Sequence, residues 1–130
     1  MIRLAWPHAS LWPNSRTDRR TATSHRKAAR TEGWAEAQSV KALVLAEAHV
    51  IATFYPPDNR RRDCDNLLAA IKSHLDGIAA AAGVDDAGWM FTVMKGEPVE
   101  NGAVVLEFRG KGAWQQIGEV ARQMIEGTVK

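Results

Sequence analysis

Read by its apolar and polar positions, the chain resolves into short extended segments separated by helical stretches. Ile2 to Trp6 is a compact apolar run closed by Pro7, which predicts a strand. HVIATFY, from His49 to Tyr55, is β-branched and aromatic and stops at Pro56-Pro57, predicting a second strand. WMFTVMK (Trp89 to Lys95) and AVVLEFR (Ala103 to Arg109) predict two more, joined through GEPVENG as a hairpin. From Asp65 onward, Leu67, Leu68, Ile71, Leu75, Ile78 and Ala82 recur at helical spacing, and Gly83 is the stop. Gly77 inside this helix costs about 1 kcal/mol relative to Ala, which the following alanines offset. An Ala-rich stretch from Trp34 to Val44 and the segment Trp114 to Ile125 predict two further helices. Residues 8–31 are rich in Ser, Thr, Arg, Pro and Asn without an apolar period, and read as a long basic loop or arm. The order β-α-β-α-β-β-α, with its late antiparallel pair, predicts an α+β domain in which helices pack on a mixed sheet.

At 130 residues the chain is the size of one domain, 1–130, with a single core. No apolar run approaches the roughly 18 residues of a membrane span, and MIRLAWPHAS lacks the apolar region of a secretory signal, so a soluble cytoplasmic protein without membrane partners is expected. Cys64 is the only cysteine, which excludes an intrachain disulfide framework and a multi-cysteine zinc site. The net charge of +2 is unevenly spread. Residues 1–30 carry seven Lys and Arg against the single acid Asp18, and Arg60, Arg61 and Arg62 form a second basic cluster. Such clustering suits a phosphate backbone, and it equally suits a solvated arm.

The second cluster runs straight into Asp63 and Asp65. In extended backbone, residues i and i+2 point the same way, so the two carboxylates can converge on one cation. Asp85-Asp86 return after the helix, and one of them would complete an all-oxygen site of the kind that favours Mg²⁺ or Mn²⁺ over zinc or copper. The alternative is structural, with Asp63 or Asp65 as a helix N-cap and Asp85-Asp86 as a turn. A carboxylate-bound cation flanked by arginines is what phosphodiester hydrolysis requires. An EF-hand starting at Asp63 would put Leu67, Leu68 and His74 where an oxygen ligand, Gly and Glu belong. GxxxxGK[ST] and G-x-S-x-G are absent, no small-molecule cofactor is indicated, and His8, His25, His49 and His74 lack metal-ligand spacing. Trp6, Trp12 and Trp34 border the basic segment, either stacking on bases or anchoring a loop.

RRRDCDN, an apolar helix and GVDDAGW together resemble the RusA family of Holliday junction resolvases, whose hallmark is a basic stretch leading to R-D-x-D-N, a helix and a D-D pair. The opening LAWPHASLWPNSR is similar to that family's N-terminal strand and W-P-containing loop. The resemblance spans the chain and is most specific from Arg60 to Trp89. It implies a RusA-like fold and a homodimer that cuts four-way DNA junctions with paired symmetric nicks, using Mg²⁺. By position it implies that Asp63, Asp65 and Asp86 are the catalytic, metal-binding carboxylates, with Asp86 preferred to Asp85, and that Asn66 fills the motif's asparagine. Where the family commonly has Lys three residues after that Asn, this chain has Ala69, and Lys72 is the nearest substitute on the same helix. At 100° per residue Lys72 lies about 20° from Asp65 and two turns along, so it is either aimed back toward the carboxylates or an ordinary solvated lysine on a polar face. Arg60, Arg61, Arg62, Asn66, Lys95, Arg16, Arg19 and Arg20 are then the expected DNA contacts. Two other readings stay open: a less selective structure-dependent nuclease, and a branched-DNA-binding module whose acidic cluster is structural.

Overall fold

In the computed structural model, which describes residues 1–40, 48–109 and 120–127, Ile2 and Leu4 are buried in the short strand β1 (Ile2–Leu4). A single 3₁₀ turn, Ala9–Leu11, follows, with His8 capping it through Nδ1 and the Ser10 backbone N–H. Helix α1 (Arg19–Ala37) comes next, then strand β2 (His49–Tyr55), where Val50, Ala52 and Phe54 alternate inward. Helices α2 (Cys64–Ala70) and α3 (Lys72–Ala82) lead to a second 3₁₀ turn, Asp86–Gly88, and to strands β3 (Met90–Lys95) and β4 (Ala103–Arg109). Residues 120–127 are helical. The predicted α+β class, a mixed sheet carrying helices, is what the chain adopts. The strand order is β1-β4-β2-β3, with β2 and β3 parallel and the other two pairs antiparallel. Leu67, Ile71, Leu75 and Ile78 of the crossover helices close the core against Ile2, Leu4, Val50, Phe54, Val104 and Leu106.

Four expectations need correction. The segment 8–31 is a loop only as far as residue 18, because α1 begins at Arg19 with Asp18 as its N-cap, accepting the Thr21 N–H at 3.0 Å. Its buried positions are Ala22, Ala29, Gly33 and Ala37, so a helical period exists but is written in residues too small to register as hydrophobic. The predicted helix at 34–44 is therefore the end of α1, whose C-cap is Gln38; residues 41–47 lie outside those described.

The second correction concerns the late strands. GEPVENG does not close a hairpin: β3 and β4 lie on opposite sides of β2, so this connection crosses the end of β2. It is pinned there by hydrogen bonds from Gly96 N to Phe54 O and from Val99 N to Pro56 O. Asn101 and Gly102 turn with φ of 65° and 67°, Gly102 packing against Trp6 and Pro57. Seven residues are longer than the usual two- to five-residue hairpin loop, and that extra length permits the crossing. The third correction is a break in the long helix at Ile71, fully buried, with φ −104° and ψ 11°.

The fourth is Gly77, which is no tolerated defect. Helices α1 and α3 cross antiparallel at Gly33 and Gly77. A Cβ on Gly33 would lie 2.1 Å from the His74 carbonyl oxygen, and one on Gly77 would lie 2.0 Å from that of Arg30. Only glycine lets the two backbones approach this closely. Beside the crossing, His74 is buried and its Nε2 lies 3.2 Å from Glu32 Oε1, while Glu32 Oε2 accepts the Ala5 N–H at 2.9 Å. One carboxylate thus ties β1, α1 and α3 together. Of the helix predicted over 114–125, residues 114–119 lie outside those described.

Candidate functional site

Pro56-Pro57 ends β2 and starts a loop that is organised on Asp58. The Asp58 carboxylate accepts the Arg60 N–H at 3.0 Å and the Arg62 Nη2 at 2.8 Å. Arg62 Nη1 donates to the carbonyls of Asp58 and Arg60, and its guanidinium lies 5.2 Å from the centre of the Trp6 ring. These donors hold the Asp58 carboxyl below its usual range, the Arg60 N–H contributing most and Arg62 next. Arg62, with a side chain 15% exposed, therefore builds the loop. Arg60 is solvated, 3.6 Å from Asp58, and Arg61 is exposed with no ion pair among the described residues. Only these two of the three arginines are free to meet a phosphate.

Asp63 occupies the N-cap position of α2 in extended conformation, yet its side chain makes no capping hydrogen bond. Asp65 already lies within the first turn of α2. The expected convergence of Asp63 and Asp65 assumed extended backbone at both, and the helix starts between them. Asp63 accordingly opens onto a cavity of about 310 Å³ shared with Asn14, Arg61 and Asn66. Asp65 faces another of about 650 Å³, lined also by Ala69, Lys72, Asp86 and Phe91.

The break at Ile71 removes the single helix on which Lys72 was placed relative to Asp65, but Lys72 reaches the same cavity by another route. Its Nζ donates to Asp76 Oδ1 at 2.6 Å and to Asp86 Oδ2 at 2.7 Å. Asp76 first and Asp86 second raise the Lys72 ammonium above its usual pKa, while Lys72 holds the Asp86 carboxyl below its own. Lys72 is thus a fixed cation, suited to stabilising negative charge and unsuited to removing a proton. The two members of the D-D pair differ in work. Asp85 Oδ1 accepts the Ala87 N–H at 2.9 Å and caps the 3₁₀ turn, whereas Asp86 faces Lys72 and the cavity.

Arg30 of α1 lines the flank formed by Asp76, Asp85 and Asp86. Neither Arg30 nor Asp76 was singled out from the sequence; Asp76 carried a signal as the i+4 partner of Lys72, and Arg30 was hidden by reading its segment as a loop. Of the remaining basic candidates, Arg16 is exposed before α1, Arg19 and Arg20 are exposed in its first turn, and Lys95 ends β3 beside Arg60 and Arg61.

Among the described residues, no three Asp, Glu, His or Cys side chains are gathered closely enough to cage a metal ion. The carboxylate oxygens of Asp65 and Asp86 on one cavity are nevertheless the donor type that suits Mg²⁺ or Mn²⁺. Among the described residues no helix is long and apolar enough to cross a membrane.

No protein-family model matches the chain. It is similar to a protein of Xylella fastidiosa (strain Temecula1 / ATCC 700964) described as "Uncharacterized protein", with 32% identity over 118 residues, covering 84% of this chain and 75% of the relative. With identity at that level over most of both chains, this protein and the Xylella fastidiosa protein belong to one family.

Proposed function

We propose that this protein is a cytoplasmic, divalent-metal-dependent endodeoxyribonuclease that resolves four-way DNA junctions, acting as a homodimer so that two sites nick the two-fold symmetric substrate. The observation that carries this reading is Asp65 and Asp86 facing one cavity with the Lys72 ammonium 2.7 Å from Asp86. Asp65 and Asp86 would hold Mg²⁺ or Mn²⁺, while Asp63, on the neighbouring cavity, stands apart from them. When bound, the cation supplies Lewis acidity for attack of water on phosphorus. The chain's own groups do the rest. Arg60 and Arg61 hold phosphates, with Lys95, Asn66, Arg16, Arg19 and Arg20 as further DNA contacts. Lys72, kept charged by Asp76, offers a fixed positive charge to the developing negative charge at the scissile phosphate.

The test is cleavage of a mobile four-way junction with and without Mg²⁺, alongside flaps, forks and plain duplex. Cleavage confined to the junction is expected. Asp65→Asn and Asp86→Asn should each abolish cleavage and leave junction binding intact, whereas Asp85→Asn, whose amide oxygen can still accept the Ala87 N–H, should be mild. Lys72→Ala should slow single-turnover cleavage of the bound junction at least ten-fold, about 1.4 kcal/mol of barrier. Cutting of every branched form would make the enzyme a less selective nuclease. Tight junction binding with no Mg²⁺-dependent cleavage would make it a binding module in which Lys72 neutralises a structural acid cluster.

A further inference from the structure

We infer that the cleft between the arginine loop and the end of the sheet is a pocket for one unstacked, single-ring base of a DNA strand, with the flanking phosphates held at its rim. The inference rests on the proposed action on DNA and deepens it by naming a subsite. The cleft has a cavity of about 140 Å³ whose walls are Trp6, Phe54, Pro56 and Leu67. Phe54 and Leu67 are each 1% exposed, so two walls belong to the core and are fixed before any ligand arrives. Trp6 is held as well, edge to face with Phe54 at 6.2 Å and under the Arg62 guanidinium. An apolar cavity of about 150 Å³ accepts a benzene-sized ring. The cleft therefore has room for a single aromatic ring.

The rim has the opposite chemistry. Arg60, Arg61 and Lys95 surround the opening, and neither Arg61 nor Lys95 makes an ion pair among the described residues. A plain apolar ligand would leave these cations unused, and inorganic phosphate would leave the apolar walls unfilled. A planar ring carried on a phosphodiester strand satisfies both. Leu67 of this cleft and Asp65 of the carboxylate cavity both belong to α2, two residues apart and so on different faces of the helix. Aromatic stacking and a cationic groove are the general means by which unpaired strands are held.

The experiment measures binding in EDTA, so that it does not depend on catalysis. The wild-type protein is titrated against two duplexes, one with a single unpaired thymidine and one with a tetrahydrofuran abasic residue at the same place. The thymidine duplex should bind at least ten-fold more tightly, and Trp6→Leu should remove that preference. Because Trp6→Leu can fail to fold, a second measurement uses the wild type alone: 5-iododeoxyuridine at the unpaired position is irradiated and the crosslink mapped, with Trp6 or Phe54 the expected target. Equal affinity for the two duplexes overturns the pocket, as does a crosslink mapped elsewhere or a preference that survives in folded Trp6→Leu. If the protein resolves junctions and yet discriminates nothing here, only this inference falls. If it binds no DNA, the nuclease reading falls with it.

Discussion

Arg61 and Arg62 are adjacent residues of one type whose environments give them different work. Arg62 spends its guanidinium on Asp58, on two loop carbonyls and on the Trp6 ring, while Arg61 stands in solvent. Arg62→Ala should lower stability, measured by denaturant unfolding, because it frees the two loop carbonyls and uncovers the Trp6 ring. Arg61→Ala should leave stability within about 0.5 kcal/mol. Glu32 supplies a second case at this scale. His74 and the Ala5 N–H hold its carboxyl below its ordinary value of 4.5, the His74 hydrogen bond contributing most. The folded state thus binds this proton less readily than the unfolded chain. The resulting stability is complete above about pH 4.5 and is lost as pH falls through the lower folded value. Glu32→Gln should flatten the acid limb of the stability curve there. Glu32→Ala leaves His74 buried without that partner and should cost about 1–3 kcal/mol at neutral pH.

Among the elements, the crossing of α1 on α3 has the narrowest tolerance. Alanine at Gly33 or Gly77 would improve local helix propensity by about 1 kcal/mol. The atom facing each new methyl, however, is a backbone carbonyl oxygen of the other helix, which cannot move without the whole helix. Steric cost wins, and each substitution should destabilise by roughly 2 kcal/mol or more net, read as a fall in Tm. A normal Tm for Gly77→Ala would mean that the helices can separate freely. The same elements explain why the candidate site was only partly visible beforehand. Asp86 and Lys72 were named, but the break at Ile71 and the start of α2 between Asp63 and Asp65 decide which carboxylates share a cavity.

Across the whole molecule, exposed positive charge is carried by the arginine loop, the first turn of α1 and the end of β3. Junction affinity should therefore fall steeply with salt, each neutralised phosphate adding about −0.9 to the slope of log K against log salt on duplex arms. Arg61→Ala should make that slope shallower by about one unit. An unchanged slope in the Arg60→Ala, Arg61→Ala double variant would exclude the loop from the phosphate contacts.

Periodicity in the sequence was enough to locate β2, the apolar face of the crossover helices and the two late strands, because large apolar residues recur there at periods of 2 and 3.6. Contiguous motif residues likewise exposed the basic loop and the D-D pair. The start of α1 was missed because its buried stripe is alanine and glycine, which carry little hydrophobic signal and acquire meaning only when another backbone lies against them. Strand neighbours were beyond local reading as well: β3 and β4 follow one another in the chain, yet both pair with β2, a choice made by the crossover through α2 and α3. Tertiary structure alone assigned Arg62 to the loop and Arg61 to solvent, Asp85 to a turn and Asp86 to Lys72. In each case two neighbours have identical side chains, and only the position of distant atoms, Asp58 and Trp6 for the arginines and Lys72 for the aspartates, distinguishes them.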